Sequence, residues 1–451
     1  MHTSEHPQSA PLGRRQFIQR AATGLAAAGL GLGAIRAGAQ AVAANDRIGI
    51  GVIGVGGRGS YLFGELWKRA QDERNGIEVI GVCDVWDRRT QDRVNETGGK
   101  VQGFRDYREL LQMPNLDAVA IASPDHWHSK QSIDAMRAGK DVYCEKPLTL
   151  YWDQAKEVTA VSRETGRVVQ CGAGSGSDGN WWTAQDIVRQ GGIGPLVWTQ
   201  GGAFRNDPGG DWNWGIQPAD PNQDLDWDLW LGWEFGLAPK IPYDPERFSR
   251  FRKYWDYSGG LATDLLYHAY AHLSIGLGSQ KPSRVVGSGA FPVHGPGDDH
   301  RETPTIFHIL ADFPAQHTLH LVGSQEQDDG IGDLVRGQKA SLSPGGPGVI
   351  VRPQDPFRDE LAEVAKTLPC YEGAKLVTEE RDGKTVLTEI RVPSKYGWDH
   401  IGNWLDCIRS REQPTLNAER AYVTQIPISL SVLSYREQRV LMFDPEKEEV
   451  V

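Results

Sequence analysis

Alternating apolar runs and helical periodicity predict an α/β chain in two parts. Residues 46–165 are expected to form a doubly wound parallel sheet. Residues 166–451 are expected to form an α+β domain with a large, mostly antiparallel sheet and C-terminal helices. Three observations carry this reading. The first part alternates short β-branched runs with helical patterns, the signature of βαβ units. In the second part strand-like runs at 195–199, 283–289, 305–312 and 317–322 follow one another with few helices between them. At 451 residues the chain also exceeds one ordinary hydrophobic core.

Composition narrows the function. With 39% hydrophobic and 24% charged residues the chain has a globular make-up. Its net charge of −11 argues against a nucleic-acid surface, which needs a basic face. The five cysteines are odd in number and lack C-x-x-C spacing, so neither a disulfide framework nor a zinc ribbon is expected. Residues 1–43 read as a twin-arginine export signal. Arg14-Arg15 is followed by Phe17 and Ile18, then by an uncharged Ala/Gly/Leu stretch over 21–35 and small-residue sites such as Ala37-Gly38-Ala39. The apolar stretch is short of the ~20 strongly apolar residues of a spanning helix. A periplasmic or secreted protein with no membrane span is therefore expected.

The first strand, 47–53, runs directly into Gly54-Val55-Gly56-Gly57-Arg58-Gly59, a G-x-G-x-x-G followed by a helical pattern. Glycine serves a backbone purpose here. A tight turn brings main-chain N–H groups against a pyrophosphate at a helix N-terminus, whose dipole favours anions. With a strand before it and a helix after it, the motif predicts a Rossmann dinucleotide site formed by Gly54, Gly56, Gly57, Arg58 and Gly59. Asp84 follows the second strand, 78–83, where an acidic residue can accept from the ribose hydroxyls and repel a 2′-phosphate. NAD is expected, although Arg88 and Arg89 leave NADP open.

Two further strands end in chemistry. The run 116–122 leads into Ser123-Pro124-Asp125-His126-Trp127-His128, and 141–144 leads into Glu145-Lys146-Pro147. Lys146 stands at the carboxyl end of a strand in an open sheet, where ligands bind, and a lysine near a hydroxyl can stabilise an alkoxide. Further on lies Gly259-Gly260-Leu261-Ala262-Thr263-Asp264-Leu265-Leu266-Tyr267-His268, with His272 one turn later. Helical spacing places Asp264, His268 and His272 on one face. They cannot share a metal, because positions i and i+8 lie ~12 Å apart along the axis while each ligand must reach to ~2 Å.

Taken together, S-P-D-H-W-H, E-K-P and G-G-x-x-x-D-x-x-x-H resemble the motifs of the Gfo/Idh/MocA oxidoreductases, and the resemblance covers nearly everything after residue 46. It implies that Lys146, Asp264 and His268 surround the substrate, and that Ser123, His126, His128 and Glu145 lie near the cofactor. Both histidines could equally be loop residues satisfied by backbone. Relatives often carry Gln and Arg in the loop after 171, where Gly174 and Ser175 stand here.

Residues 181–255 are rich in tryptophan and aspartate, Trp212 and Trp214 among them. Aromatic faces and carboxylates suit a carbohydrate, although most such rings are expected to pack a core. The implied activity is oxidation of a carbohydrate hydroxyl, with His268 as general base, Asp264 orienting it and Lys146 stabilising the alkoxide. Export would demand a tightly held cofactor reset within the site. An alternative is a glycoside hydrolase working by transient oxidation, and another is a non-catalytic sugar or nucleotide sensor. The resemblance also suggests a homo-oligomer.

Overall fold

The computed structural model describes residues 47–451. The proposed export signal, 1–43, lies outside the described residues. Six strands form the first sheet: β1 (Ile48–Ile53), β2 (Ile77–Cys83), β3 (Gln102–Phe104), β4 (Ala118–Ile121), β5 (Asp141–Cys144) and β6 (Val169–Cys171), in the order β3-β2-β1-β4-β5-β6. Every pairing is parallel. β1, β4 and β5 are buried at every residue, as strands covered on both faces must be. The order reverses beside β1, so the carboxyl ends of β1 and β4 open a crevice for ligands.

The second sheet has twelve strands and is mixed. Its long central strand, Leu196–Asn206, pairs parallel with Thr318–Ser324 and antiparallel with Leu334–Gly337. The remaining neighbours are antiparallel. Residues 345–347 turn the chain between the hairpin strands Ala340–Pro344 and Gly348–Pro353. One face of this sheet packs on the helices Tyr267–Gly276 and Ala418–Glu437. On the other face a row of residues crosses five strands without being buried: Val286, Leu310, His320, Gln200 and Leu334.

The boundary expected after residue 165 falls inside the first sheet, because β6 pairs with β5. Nor is the second part a separate body. The helix His400–Ser410 presents Ile401, Trp404, Leu405 and Ile408 on one stripe, and this stripe joins the apolar cluster of the first sheet, with Trp404 edge-on to Tyr143 of β5. The chain thus returns to complete its first domain, which a linear reading of boundaries cannot reveal. A single core runs from Ile53, Val142 and Cys144 through Tyr270 to Leu319 and Val351, and the described residues, 47–451, belong to one compact unit. All five cysteines are free and buried.

Candidate functional site

The glycine-rich turn is built for close approach. Gly54 has φ +78°, and a Cβ there would lie 2.6 Å from the Ser123 nitrogen. A Cβ at Gly59 would lie 1.7 Å from the Gly54 carbonyl oxygen. Any larger residue at either position would push strand and helix apart. Gly57 instead has nothing within 4 Å and faces open space. The helix Gly57–Ala70 begins there with no side-chain cap and no acidic residue in its first turn. Its free N–H groups and dipole therefore remain available to an anion. This cradle fits a dinucleotide pyrophosphate.

The turn is held by Asp84, whose carboxylate accepts from the Val55 N–H at 2.9 Å and the Trp86 N–H at 3.0 Å. Asp84 also lines a cavity of about 550 Å³ that starts at the glycine turn and ends among the tryptophans. It keeps lone pairs free for a ribose. Arg89 stands 3.5 Å from it and donates to Gln217 at 2.6 Å. Arg58 donates to Glu145 at 2.8 Å.

On the wall of the same cavity, Lys146 Nζ donates to the Asp264 carboxylate at 2.6 Å and to the Asp264 carbonyl at 2.7 Å. Arg252 Nε donates to the same carboxylate oxygen at 2.8 Å. Burial opposes ionisation of Asp264, but Arg252 and Lys146 outweigh it and hold the carboxyl well below the usual carboxylate range. Asp264 lies within a π-helical turn, Ala262–Leu266, that precedes the α-helix Tyr267–Gly276. Wide turns of this kind recur at functional sites. This one replaces the regular helix expected over Asp264, His268 and His272.

The expected partnership changes accordingly. Asp264 makes no hydrogen bond to the His268 ring; it serves Lys146 and Arg252. His268 is exposed and is not among the residues on the cavity wall, and its backbone carbonyl accepts from Ser175 at 3.3 Å. Crowding by the surrounding protein, and then the Lys146 cation, push its imidazole below the ordinary range. His272 turns away, bonding Asp333 at 2.8 Å and stacking on Trp181. Among the described residues no cluster of His, Cys, Asp and Glu could hold a metal.

The upstream loop splits in two. Ser123 and His128 line the cavity. The His128 ring nitrogens face the Pro147 carbonyl at 2.7 Å and the Ser123 carbonyl at 2.8 Å, bracing the two loops that carry the site. His126 does not reach the cavity. It is buried against Trp230 and Tyr257, with Nε2 3.1 Å from the Trp230 carbonyl. Burial there pushes its pKa down to about 3. The loop's shape, which a motif does not encode, decides which histidine faces inward.

Sequence reading missed Arg252, Arg205 and Asp125, all on the cavity wall. Asp125 lies within the quoted loop motif, but nothing in the run around Arg252 marks it as facing Asp264. Of the tryptophans, Trp227 and Trp230 stack in a buried cluster with Trp86 and Phe248. Trp212, considered as a stacking ring, is only 2% exposed, whereas Trp214 is 44% exposed. Both line the cavity.

The same segment roofs the adenosine end of the groove. Leu225 forms an antiparallel bridge with Trp86. The Asp87 N–H donates to the Asp224 carbonyl at 2.8 Å, and the Asp226 N–H to the Val85 carbonyl at 2.9 Å. The indole of Trp86 donates to the Asp224 carboxylate at 2.7 Å.

The fold and this groove define a dinucleotide-binding protein of the Rossmann class. Residues 48–173 match the oxidoreductase-family model described as an NAD-binding Rossmann fold, and 207–286 match that family's C-terminal α/β domain. The chain belongs to the Gfo/Idh/MocA oxidoreductase family, and NAD is its cofactor. It is 32% identical to an inositol 2-dehydrogenase of Rubrobacter xylanophilus over 35% of this chain and 44% of that one. It is 28% identical to a glycosyl hydrolase family 109 protein of Akkermansia muciniphila, over 37% of this chain and 35% of the relative. The matches thus span less than half of these relatives. The WlbA dehydrogenase of Bordetella pertussis, solved with NADH and UDP-GlcNAcA, superposes with a TM-score of 0.60 at 15% identity, covering 88% of this chain and 99% of that one. At that identity the likeness is one of fold.

Proposed function

We propose that this protein is an exported NAD(H)-dependent oxidoreductase that oxidises a hydroxyl of a carbohydrate or polyol and retains its cofactor through successive turnovers. The observation that carries the reading is the Lys146–Asp264–Arg252 cluster at the carboxyl edge of the parallel sheet, on the wall of the same cavity as the pyrophosphate cradle. Bound NAD supplies the hydride acceptor. Gly54, Gly56, Gly57 and Gly59 hold its pyrophosphate, Asp84 takes the ribose hydroxyls and favours NAD over NADP, and Arg58, Ser123, His128 and Glu145 wall the groove. Lys146, fixed by Asp264, donates to the substrate oxygen and stabilises negative charge on it. His268 accepts the hydroxyl proton. The substrate ring lies against Trp214. The open row through Leu310 and His320 suits a homo-oligomer, and the net charge of −11 disfavours nucleic acid. Among the described residues no helix is long and apolar enough to cross a membrane.

A second reading is favoured by the family 109 relatives: a hydrolase that oxidises a glycoside transiently, releases its aglycone and reduces the sugar again. One experiment separates these readings. Purified protein is incubated with sugars, polyols and glycosides while absorbance in the reduced-nicotinamide band and product mass are followed. Net oxidation or coupled reduction supports the first reading. Glycoside cleavage with no net redox supports the second. NAD binding with no sugar-dependent change in either readout would leave a sensor.

A further inference from the structure

The cavity holds more positive charge beside the reacting end than a neutral polyol needs. Lys146 and Arg252 share one carboxylate, Asp264, which leaves one positive charge uncompensated. Asp125, on the same wall, makes no ion pair with either cation among the described residues: its carboxylate turns to the hydroxyls of Ser258 and Thr263, which donate to it at 2.8 Å and 3.2 Å.

Arg252 spends only Nε on Asp264; its two terminal amino groups have no acceptor among the described residues. Its guanidinium also sits 5.9 Å from the centre of the Trp214 ring. A second guanidinium stands on the same wall. Arg205, at the end of the central strand Leu196–Asn206, has a half-exposed side chain and a single long contact, 3.4 Å, to Asp211. Asp211 is already engaged by the Trp212 N–H at 3.0 Å and by Gln325 at 3.1 Å. It also lies near enough to Arg252 to perturb that group, which places the two arginines in one corner.

The corner is rigid. Trp214 is tied through its indole N–H to the Ser249 carbonyl at 2.5 Å. Beneath it the buried Lys253 holds Asn213 at 3.0 Å, Glu246 at 2.8 Å and Asp299 at 2.5 Å. Arg301, fully buried, bonds the Asp211 carbonyl at 2.7 Å. Two guanidinium forks with free N–H groups, fixed beside an exposed indole face, suit a planar anion carried on a sugar ring.

We propose that the substrate is an acidic sugar whose carboxylate is taken by Arg205 and Arg252 while its ring lies on Trp214. This rests on the reading above that a carbohydrate occupies the cavity, and it names the class. One excess charge matches a monoanionic carboxylate better than a dianionic phosphate ester. The anchor also fixes which hydroxyl meets Lys146, because a ring held at its carboxylate can present only one edge to that lysine.

The test is equilibrium binding to the NADH-loaded protein, measured by calorimetry, so that it needs no turnover. The probes are glucuronate, galacturonate and gluconate, the parent neutral hexoses, and glucose 6-phosphate. The acids should bind about ten-fold or more tighter than the neutral sugars. Arg205→Gln should erase that preference while leaving the neutral-sugar affinity within about two-fold, and Arg205→Lys should restore part of it. Retained cofactor and an unchanged melting temperature would show that the variants are folded. Neutral sugars binding as tightly as the acids would overturn this inference and leave the carbohydrate reading standing. Tighter binding of the phosphate ester would overturn the assignment to a carboxylate. Binding of none of the probes would overturn both.

Discussion

Cofactor release should be governed by the segment that roofs the adenosine end, and Trp86→Phe should accelerate it. The indole of Trp86 donates to the Asp224 carboxylate at 2.7 Å. Phenylalanine keeps the aromatic packing against Phe248 and the backbone bridge to Leu225 but removes that donor. A hydrogen bond to a charged group contributes about 1.5–3 kcal/mol when shielded from water. Asp224 is partly exposed, so water replaces some of the loss, and about 1–2 kcal/mol is a fair range. If lifting the segment limits release, the rate should rise about 5–30-fold. Gln217→Ala, which removes the 2.6 Å contact to Arg89, should act in the same direction. The assay counts NAD(H) freed on denaturation of freshly purified protein and then follows exchange of bound cofactor for a labelled one. Wild type should carry near one equivalent and exchange slowly. The reasoning is refuted if wild type arrives empty, or if both variants exchange at the wild-type rate.

Three further outcomes are expected. Trp214→Ala should raise KM more than it lowers kcat, whereas Trp212→Ala, which removes a buried ring, should lower the melting temperature; steady-state kinetics and thermal unfolding distinguish them. Lys146→Ala and His268→Ala should retain cofactor yet lose turnover, by about 10²–10³-fold for the alkoxide donor and about 10²–10⁴-fold for the proton acceptor. Wild-type rates in both would place the chemistry elsewhere. Stability should fall on acidification from pH 6.5 towards 3. The unfolded state protonates its histidines near pH 6.5, but His126, buried and held to about 3, does not follow until far lower pH. The unfolded state therefore binds more protons across that window, and stability rises with pH by up to about 1.4 kcal/mol per unit for this group. Chemical unfolding of wild type and His126→Gln at pH 5 and 7 should show a shallower dependence in the variant.

The parallel sheet was legible because its strands are continuous apolar runs and its first turn combines Gly54, Gly56 and Gly59, two of which the packing makes obligatory. Lys146 was legible for a related reason: a strand end in such a sheet is a fixed address. The return of His400–Ser410 to the first domain was not legible, since an amphipathic helix declares that it has a partner but not which one. Nor was Arg252, because its relation to Asp264 depends on a π turn that shifts the helix register after residue 261. His126 and His128 are two residues apart in one motif, yet one faces an aromatic core and the other the cavity. The tryptophan segment reads as a few rings for a carbohydrate among many that pack a core. Much of it is the roof of the dinucleotide groove, and only Trp214 offers an exposed ring to the cavity.

The pairing of Asp264 changes how the proposed chemistry divides among the residues. A carboxylate bonded to both Lys146 and Arg252 stays ionised across the working pH range. Lys146 already donates from Nζ to the Asp264 carbonyl and carboxylate, so what it offers the substrate oxygen is a further N–H and not a site for its proton. The proton must therefore pass to a neutral acceptor, and His268, pushed below the ordinary imidazole range by crowding from the surrounding protein and by the Lys146 cation, is neutral at physiological pH. Such a ring is a weak base while the site is empty. The Asp264 carboxylate works the other way, raising the imidazole against the Lys146 cation, so the pair at the end of β5 also sets the strength of the base beside it.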